Sequence, residues 1–395
     1  MLAETGIGAV ERRQLLEVTA VECIGIAVHE PTNLLGGDHS FDCAHRFRHR
    51  LPLHDLPDAT VPAVHDADHA PAVRFAVIGV AHPHAIVLTD GLLSAGGGCI
   101  GWVDPGGHDG SFAALFPGLP ERDLDDVLAE MPELVVVAAV PNERSDLAIA
   151  AMNAGADALV AKPAVTASGQ IDTVADTVAA TGKRWWVAFT EHFTSRAVLR
   201  ADQLVADGRI GTVRHVLGLG PHRLGGARPD WFFDPARSGP MLADLASHQI
   251  HHVARLLGTT DLTVVHARTT TATNRLHPEM LAELVIEGGT GSAYIKVDWL
   301  TPDGLDTWGD VRLMITGDTG TIEVRANCDP GGLPGADHLI VVDRSGSERI
   351  DCSADELTWA PTLLDDVRHT TEELVTTAHC LAVTRTAQAS AKATN

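Results

Sequence analysis

Three side chains with acid–base chemistry stand in two short segments of the chain. Lys162 ends an apolar run, and Asp244 and His248 lie four residues apart further along. If the second segment is helical, its carboxylate and imidazole share one face, where they could bind a polyol and take its proton. The chain has four lysines against 25 arginines, so a retained lysine indicates a place where a compact ammonium is needed.

Other interpretations of the same residues are a zinc site and a polar helix face that meets solvent. Asp244, His248 and His252 have the i, i+4, i+8 spacing of a metal-binding helix face. No Cys or Glu nearby completes that set, so the sequence predicts no metal. The single tyrosine, Tyr294, is followed four residues later by Asp298, which excludes a Tyr-x-x-x-Lys dehydrogenase site.

A turn that could bind a dinucleotide follows the first regular apolar run. Its sequence is G-V-A-H-P-H, in which only the first glycine of a G-x-G-x-x-G pattern is present. In that pattern the pyrophosphate lies against backbone N–H groups where a helix begins, and proline suits a first helical position. An ordinary tight turn is the alternative. The predicted cofactor contacts in this turn are Gly79, Ala81, His82, Pro83 and His84.

Asp104 ends the second apolar run, 25 residues after Gly79. A carboxylate at this place suits the ribose hydroxyls of NAD and repels the 2′-phosphate of NADP. No arginine follows closely, so the sequence favours NAD over NADP. The alternative is that Asp104 only shapes the turn that contains Gly106 and Gly107.

The elements that must position these residues can be predicted from hydrophobic patterns. Apolar runs without polar alternation, separated by helical patterns, indicate a parallel sheet that is buried on both faces. The crossover rule then predicts an α/β fold with a doubly wound Rossmann domain over residues 71–190. Lys162 would stand at the carboxyl end of the fourth strand, where ligands bind in such sheets. The five runs are residues 74–80, 99–104, 134–140, 157–162 and 184–190.

The pattern changes after about residue 190. Alternating apolar segments joined by Gly-rich turns predict a C-terminal α+β domain, residues 191–390, with an open and mostly antiparallel sheet. One last helix is predicted over roughly residues 364–389. Residues 1–70 are rich in histidine and lack periodicity, which predicts a loosely ordered extension.

Charge and hydropathy exclude several classes of partner. The formal net charge of −23 repels phosphate backbones, so we expect neither nucleic acid nor an anionic membrane as a partner. The longest early apolar run, residues 18–28, is too short to span a bilayer, and no basic start marks a secretory signal. Six scattered cysteines without a C-x-x-C pair fit reduced thiols, so a cytoplasmic protein is expected.

Residues 74 to about 385 resemble the glucose–fructose oxidoreductase / inositol dehydrogenase / rhizopine catabolism (Gfo/Idh/MocA) superfamily. The family's E-K-P signature is similar to Ala161-Lys162-Pro163, and its G-G-x-x-x-D-x-G-x-H signature is similar to residues 239–248. Its T-P-N-x-x-H segment is similar to residues 140–145. The chain departs from these patterns, because Ala161 stands for the Glu of E-K-P and two later glycines are absent.

The resemblance implies hydride transfer between a secondary hydroxyl of a sugar-like polyol and a nicotinamide. It implies that His248 is the general base, that Lys162 stabilises the developing alkoxide, and that Asp244 binds a neighbouring hydroxyl and orients the base. It also places Pro141, Asn142, Lys162 and Pro163 beside the nicotinamide. The superfamily further implies a homodimer or homotetramer formed through the C-terminal sheet.

Further substrate contacts are predicted from arginines and aromatic residues near the second domain. An arginine beside an aromatic ring can hold a polyol or a carboxylate, and it can equally fasten a seam between domains. The candidates are Arg196, His222, Arg223 and Trp231. Two alternative functions stay open: an NAD-dependent glycoside hydrolase of the same superfamily, and a non-catalytic sensor that binds nucleotide and ligand.

Overall fold

The computed structural model describes residues 72–106, 110–225, 228–271, 279–331 and 335–394. The predicted N-terminal extension, residues 1–70, lies outside this range. None of the helices in the described residues is both long and apolar enough to cross a lipid bilayer. The four cysteines in the described residues are free thiols: Cys99, Cys328, Cys352 and Cys380.

The first domain is built on five parallel strands in the order β2-β1-β3-β4-β5. The strands are β1 (Arg74–Ile78), β2 (Gly98–Val103), β3 (Leu134–Val137), β4 (Asp157–Ala161) and β5 (Trp185–Ala188). The helices are α1 (His84–Ser94), α2 (Gly110–Leu115), α3 (Leu124–Ala129), α4 (Arg144–Asn153) and α5 (Ser168–Thr181). The central strands β3 and β4 are buried at every position, because helices cover both faces of the sheet. The predicted doubly wound fold is confirmed.

The second domain is built on eight strands in the order β13-β12-β11-β10-β6-β9-β8-β7. Every neighbouring pair is antiparallel except β6 with β9. The first four strands in chain order are β6 (Val213–Pro221), β7 (Thr263–Thr270), β8 (Leu281–Gly288) and β9 (Gly291–Asp298). The others are β10 (Arg312–Gly317), β11 (Gly320–Arg325), β12 (His338–Asp343) and β13 (Gly346–Asp351). The predicted α+β domain with a mostly antiparallel sheet is confirmed.

Among the described residues, six helices accompany this sheet, and the longest of them covers its inner face. They are α6 (Thr190–Phe193), α7 (Arg196–Ala206), α8 (Pro235–Ser238), α9 (Met241–Leu257), α10 (Trp359–His369) and α11 (Thr377–Lys392). Helix α9 packs on β6, β8 and β9, and the side chain of Gln249 lies over two glycines of β6. A Cβ at Gly218 or Gly220 would stand 2.7 or 3.0 Å from the Gln249 amide. Two glycines in β6 therefore let α9 approach the sheet closely.

The prediction of one last helix over residues 364–389 is wrong, because two helices occupy that region. Thr370 adopts a left-handed conformation with φ of 56° and ends α10. The buried Asp366 carboxylate accepts hydrogen bonds from the backbone N–H groups of Glu373 and Leu374, which fixes the turn. The hydroxyl of Thr376 then caps α11 by accepting from the backbone N–H of His379 at 3.1 Å. Both helices return to the first domain, where α10 contacts α1 and α11 contacts α5.

The contact between α1 and α10 depends on a glycine. A Cβ on Gly91 would lie 2.2 Å from Cζ2 of Trp359, so the two helices touch at this point. We predict that Gly91→Ala lowers the free energy of unfolding by about 1–3 kcal/mol through overpacking. Gly169→Ala in α5 is the matched control, because nothing lies within 4 Å of its Cβ position. There the better helix propensity of alanine should raise stability by up to about 1 kcal/mol. Urea unfolding of both variants tests this, and two shifts of the same sign would contradict it.

Candidate functional site

The turn after β1 contains one glycine, and it stands at a position where a side chain would not fit. Gly79 has φ of +79°, and a Cβ there would lie 2.3 Å from Cβ of Ala139. Its backbone N–H donates to the Val103 carbonyl at 2.7 Å, and the backbone N–H of His82 donates to the Ala138 carbonyl at 3.2 Å. The turn is thus wedged between the ends of β2 and β3. Helix α1 begins at His84, directly after Pro83.

Asp104 lies beside this turn, because it follows Val103, whose carbonyl binds Gly79. That position is the one expected for a carboxylate that binds the ribose of a dinucleotide. One Asp104 oxygen also accepts the backbone N–H of Gly106 at 3.4 Å, so the residue shapes its own turn as well.

A buried amide oxygen in the loop after β3 lacks a hydrogen-bond partner. It belongs to Asn142, which lies in a 3-10 turn, Pro141–Glu143. Its backbone carbonyl accepts the Gln170 side-chain amide at 3.2 Å, whereas its Oδ1 has no partner among the described residues. An unpaired buried acceptor is costly, so this oxygen suits a ligand that brings an N–H group, as a nicotinamide carboxamide does.

Arg144 holds the loop that carries Lys162. Its guanidinium is completely buried and donates to the backbone carbonyls of Ala139 at 2.7 Å, Lys162 at 2.6 Å and Pro163 at 3.1 Å. Burial lowers the pKa of Arg144 to about 9, while the charge of Asp244 opposes the shift. Sequence analysis missed this residue. Its position inside the V-P-N-E-R-S segment was the only available signal.

Lys162 and Asp244 meet across the two domains. The Lys162 ammonium lies 3.0 Å from Oδ1 of Asp244, and the lysine side chain is only 5% exposed. Lys162 follows the end of β4, and Asp244 stands in the first turn of α9. The first helical turn favours a carboxylate, because unpaired N–H groups and the helix dipole point there.

His248 lies one turn further along α9 and is 1% exposed. Its ring centre is 6.4 Å from that of His84 and 6.3 Å from that of Phe189, and its Nδ1 has no partner among the described residues. Burial, followed by the charge of Lys162, lowers the pKa of His248 well below 6.5. The imidazole is therefore neutral at physiological pH, whereas a histidine with the ordinary pKa of about 6.5 would titrate close to that pH. A neutral imidazole has a nitrogen free to accept a proton.

Glu191 is a buried acid that sequence analysis did not select. Its Oε2 accepts the Gln249 amide at 2.7 Å, and its Oε1 lies 3.6 Å from Nε2 of His222. Burial raises the pKa of Glu191 to about 8, against the opposing effect of Lys162. The carboxyl group is therefore neutral near pH 7. The position of Glu191 directly after the apolar run of residues 184–190 was the signal that could have identified it.

The remaining predicted substrate contacts have other partners. The Arg196 side chain donates to the Asp355 carbonyl at 2.7 Å and lies 3.5 Å from the Asp337 carboxylate. Arg223 donates to the carbonyls of Pro302 and Leu305. Both guanidinium groups join segments within the second domain, and these contacts do not cross to the first domain. Trp231 is buried beside Phe232, with ring centres 6.1 Å apart.

The structure brings together Lys162, Asp244, His248, His84 and His222. The last of these belongs here because the charge of Lys162 contributes to the lowered pKa of His222. For the zinc interpretation, the described residues contain no group of three or more donors that could hold a metal ion.

Histidines further along α9 form a second buried cluster. The His251 ring stacks on Phe189 with centres 4.1 Å apart, and its Nδ1 lies 2.9 Å from Nε2 of His379. Neither ring nitrogen of His252 has a partner among the described residues. Burial first, and then the charge of His192, lower the pKa of His252 to about 3. These histidines are therefore folded into the protein in their neutral form.

Comparison with known proteins gives two family matches. Residues 73–189 match the oxidoreductase family with an NAD-binding Rossmann fold, and residues 198–323 match the GFO/IDH/MocA C-terminal domain. The comparison with curated proteins gave no significant match.

Solved structures resemble the chain over most of its length. A candidate oxidoreductase from Erwinia carotovora atroseptica SCRI1043 is 33% identical, with 82% of this chain and 99% of that chain covered and a TM-score of 0.79. An aldose-aldose oxidoreductase from Caulobacter crescentus, complexed with glycerol, is 15% identical, with coverage of 82% and 97% and a TM-score of 0.68. An oxidoreductase from Agrobacterium radiobacter, in complex with NAD+, L-tartaric acid and magnesium, is 16% identical, with coverage of 80% and 94% and a TM-score of 0.64.

The buried histidines predict sensitivity to acid. An unfolded histidine has a pKa near 6.5, so below that pH the unfolded chain binds protons that the folded protein excludes. The stability contributed by neutral His252 is therefore complete above pH 6.5 and is lost as the pH falls towards 3. Between pH 6.5 and 5 the loss is about 2 kcal/mol for one such group.

Thermal unfolding of His252→Leu measures this contribution. We expect the variant's melting temperature to fall by a few degrees less than that of the wild type between pH 7.5 and 5. His266→Leu on strand β7 is the control, because its side chain is exposed. If both variants follow the wild-type pH curve in parallel, His252 does not carry the acid sensitivity.

Proposed function

Because the chain belongs to the GFO/IDH/MocA oxidoreductase family and has an NAD-binding Rossmann domain, we propose that it oxidises or reduces a sugar-like polyol. The reaction would transfer a hydride between a secondary hydroxyl of a sugar or cyclitol and the nicotinamide of NAD. The observation that carries the proposal is the meeting of Lys162, Asp244 and His248 in one buried crevice. The name of the Caulobacter relative, an aldose-aldose oxidoreductase, supports the substrate class.

The residues present fit NAD. The turn at Gly79 presents the start of α1 to a pyrophosphate, and Asp104 lies where a ribose would be bound. The unpaired Oδ1 of Asn142 suits a carboxamide N–H. When bound, NAD supplies the hydride acceptor or donor at its nicotinamide C4.

The protein's own residues would handle the proton and the oxygen charge. During oxidation, neutral His248 accepts the hydroxyl proton while the carbon loses its hydride and a carbonyl group forms. The Lys162 ammonium donates a hydrogen bond to the same oxygen and stabilises its developing negative charge. Asp244 holds that ammonium at 3.0 Å and can accept a hydrogen bond from a neighbouring hydroxyl. In reduction the same groups act in the opposite direction.

Removal of the Lys162 ammonium tests the proposal. In a screen of sugars and polyols with NAD+ and NADP+, followed at 340 nm, we expect NADH formation by the wild type. Lys162→Ala should lose about 10²–10³ in kcat/KM, because the alkoxide loses its counter-charge. Lys183→Ala, at the opposite end of the parallel sheet, should keep wild-type activity.

Two results would redirect the assignment. Release of sugar from a glycoside with no net NADH would indicate the NAD-dependent glycoside hydrolase. Ligand binding without any turnover, unchanged by Lys162→Ala, would indicate the sensor.

We also propose that the chain forms a homodimer or homotetramer through the outer face of the eight-stranded sheet. No described helix covers this face. Apolar side chains form a row across four paired strands. The row consists of Val285, Tyr294, Leu217 and Met314. Met314 is 47% exposed, so burial in an interface would remove apolar surface from water.

A charged substitution on this row should disrupt the assembly. Light scattering of the wild type at micromolar concentration is expected to give a dimer or tetramer, and Met314→Arg should shift it to monomer. Met131→Arg is the matched control, because Met131 is 70% exposed on the first domain. A monomeric wild type, or an oligomer that tolerates Met314→Arg, would overturn this proposal.

A further inference from the structure

Two arginines near Asp244 have no carboxylate among the described residues that is close enough to form an ion pair. Asp244 is paired with Lys162, and its charge also opposes the pKa lowering of Arg144 and Arg228. Neither arginine forms an ion pair with a carboxylate in the part of the chain that the structure describes. Glu191 adds no negative charge near pH 7, because burial raises its pKa to about 8. Within the described ranges, both arginines thus lack an ion-pair partner, and carboxylates act on them only from beyond 4 Å.

The absence of ion pairs at these two arginines contrasts with the rest of the molecule. The whole chain carries a formal net charge of −23, and most arginines of the described residues lie within 4 Å of a carboxylate. A partly buried cationic site without counter-ions is costly unless a ligand supplies the missing charge. The crevice is thus suited to anions in a protein whose surface repels them.

Arg228 is the cation best placed to meet such a ligand. Arg144 is fully buried, and its Nε and Nη1 donate to backbone carbonyls, while its Nη2 has no partner among the described residues. Arg228 is only partly buried, and it stands in the segment between β6 and α9 that leads to Asp244. The Trp299 ring joins Arg228 to His222, because its centre lies 5.4 Å from the guanidinium carbon and 5.5 Å from the centre of the imidazole ring.

The guanidinium of Arg228 is held rigidly without losing its charge. It lies over the rings of Phe232 and Trp299, 4.8 and 5.4 Å from their centres. Its Nε donates to the Leu224 carbonyl at 2.6 Å, and one terminal nitrogen donates to the Arg223 carbonyl at 2.9 Å. Carbonyl acceptors and aromatic faces orient a guanidinium but do not neutralise it. Such a fixed, charged fork is suited to a carboxylate or a phosphate.

We propose that Arg228 binds an anionic group on the substrate, so that the substrate is a sugar acid or a sugar phosphate, not a neutral polyol. The inference rests on the proposed hydride transfer and narrows its substrate. The reacting hydroxyl would lie between Lys162 and His248, while the anionic group pairs with Arg228. Oxidation would form a C=O bond, deliver the hydride to NAD+ and pass the hydroxyl proton to His248.

A kinetic comparison of matched substrates tests the proposal. D-glucose, myo-inositol, D-gluconate, D-glucuronate and D-glucose 6-phosphate are assayed with NAD+ at equal ionic strength. We expect at least one anionic member to exceed the neutral ones by about 10–100-fold in kcat/KM, the range of a charge-assisted hydrogen bond. Whether the active member is an acid or the phosphate identifies the source of the anion.

Substitutions at Arg228 should remove that preference selectively. Arg228→Gln is expected to raise KM for the anionic substrate about 10–100-fold, which removes its advantage over the neutral members. Arg228→Lys should restore part of the preference, since it keeps the charge without the planar fork. Arg349→Gln on the exposed edge strand β13 is the control, because it removes the same charge away from the crevice.

A binding measurement keeps the test independent of turnover. Thermal shifts of the NAD+-loaded protein are recorded with D-gluconate, D-glucose 6-phosphate and D-glucose. We expect stabilisation of the wild type by an anion and none for Arg228→Gln. Equal behaviour of anions and glucose would overturn the proposal, even where NADH formation from neutral sugars upholds the hydride transfer.

NAD+ titration separates substrate recognition from cofactor binding. His82, in the turn after β1, also lies within the electrostatic influence of Arg228, so the cofactor pyrophosphate is the competing anion. We expect Arg228→Gln to keep the wild-type Kd for NAD+. A Kd raised tenfold or more would assign Arg228 to the pyrophosphate and refute its role at the substrate.

Discussion

The arrangement of the site depends on the ion pair between Lys162 and Asp244. It joins the end of β4 to the first turn of α9, and so it fixes the position of the second domain's central helix relative to the parallel sheet. Buried ion pairs contribute little net stability, because desolvation of both charges offsets their attraction. The retention of this pair is therefore better explained by the position it gives to His248 than by the stability it adds.

The groups around this pair keep that charge arrangement intact. His222 and His248 are buried and His84 is partly buried, and all three have lowered pKa values, so they surround the ammonium without adding positive charge. Glu191 is neutral for the opposite reason, because its pKa is raised. In a buried site with neutral imidazoles and one fixed ammonium, each hydrogen bond to a developing alkoxide is stronger than it would be in solvent.

Sequence patterns predicted the parts of the fold and site that depend on local spacing. The five apolar runs correspond to β1–β5, and the i, i+4 spacing placed Asp244 and His248 on one helix face. Arg144 and Glu191 were not predictable in this way, since their roles depend on backbone carbonyls and side chains that only the tertiary structure brings near. The prediction of a single C-terminal helix was wrong for a similar reason, because the Asp366 carboxylate stabilises a turn that no local pattern indicates.

The departure at Ala161 bears directly on the charge of the crevice. The family signature that Ala161-Lys162-Pro163 resembles has a glutamate at the first position, whereas here a fully buried methyl group takes its place. Arg144 donates to the backbone carbonyl of Ala161 at 3.1 Å, so the substituted position lies beside this buried guanidinium. Neither Arg144 nor Arg228 forms an ion pair among the described residues. An anionic substrate would supply a counter-charge, because opposite charges attract strongly where solvent screening is weak.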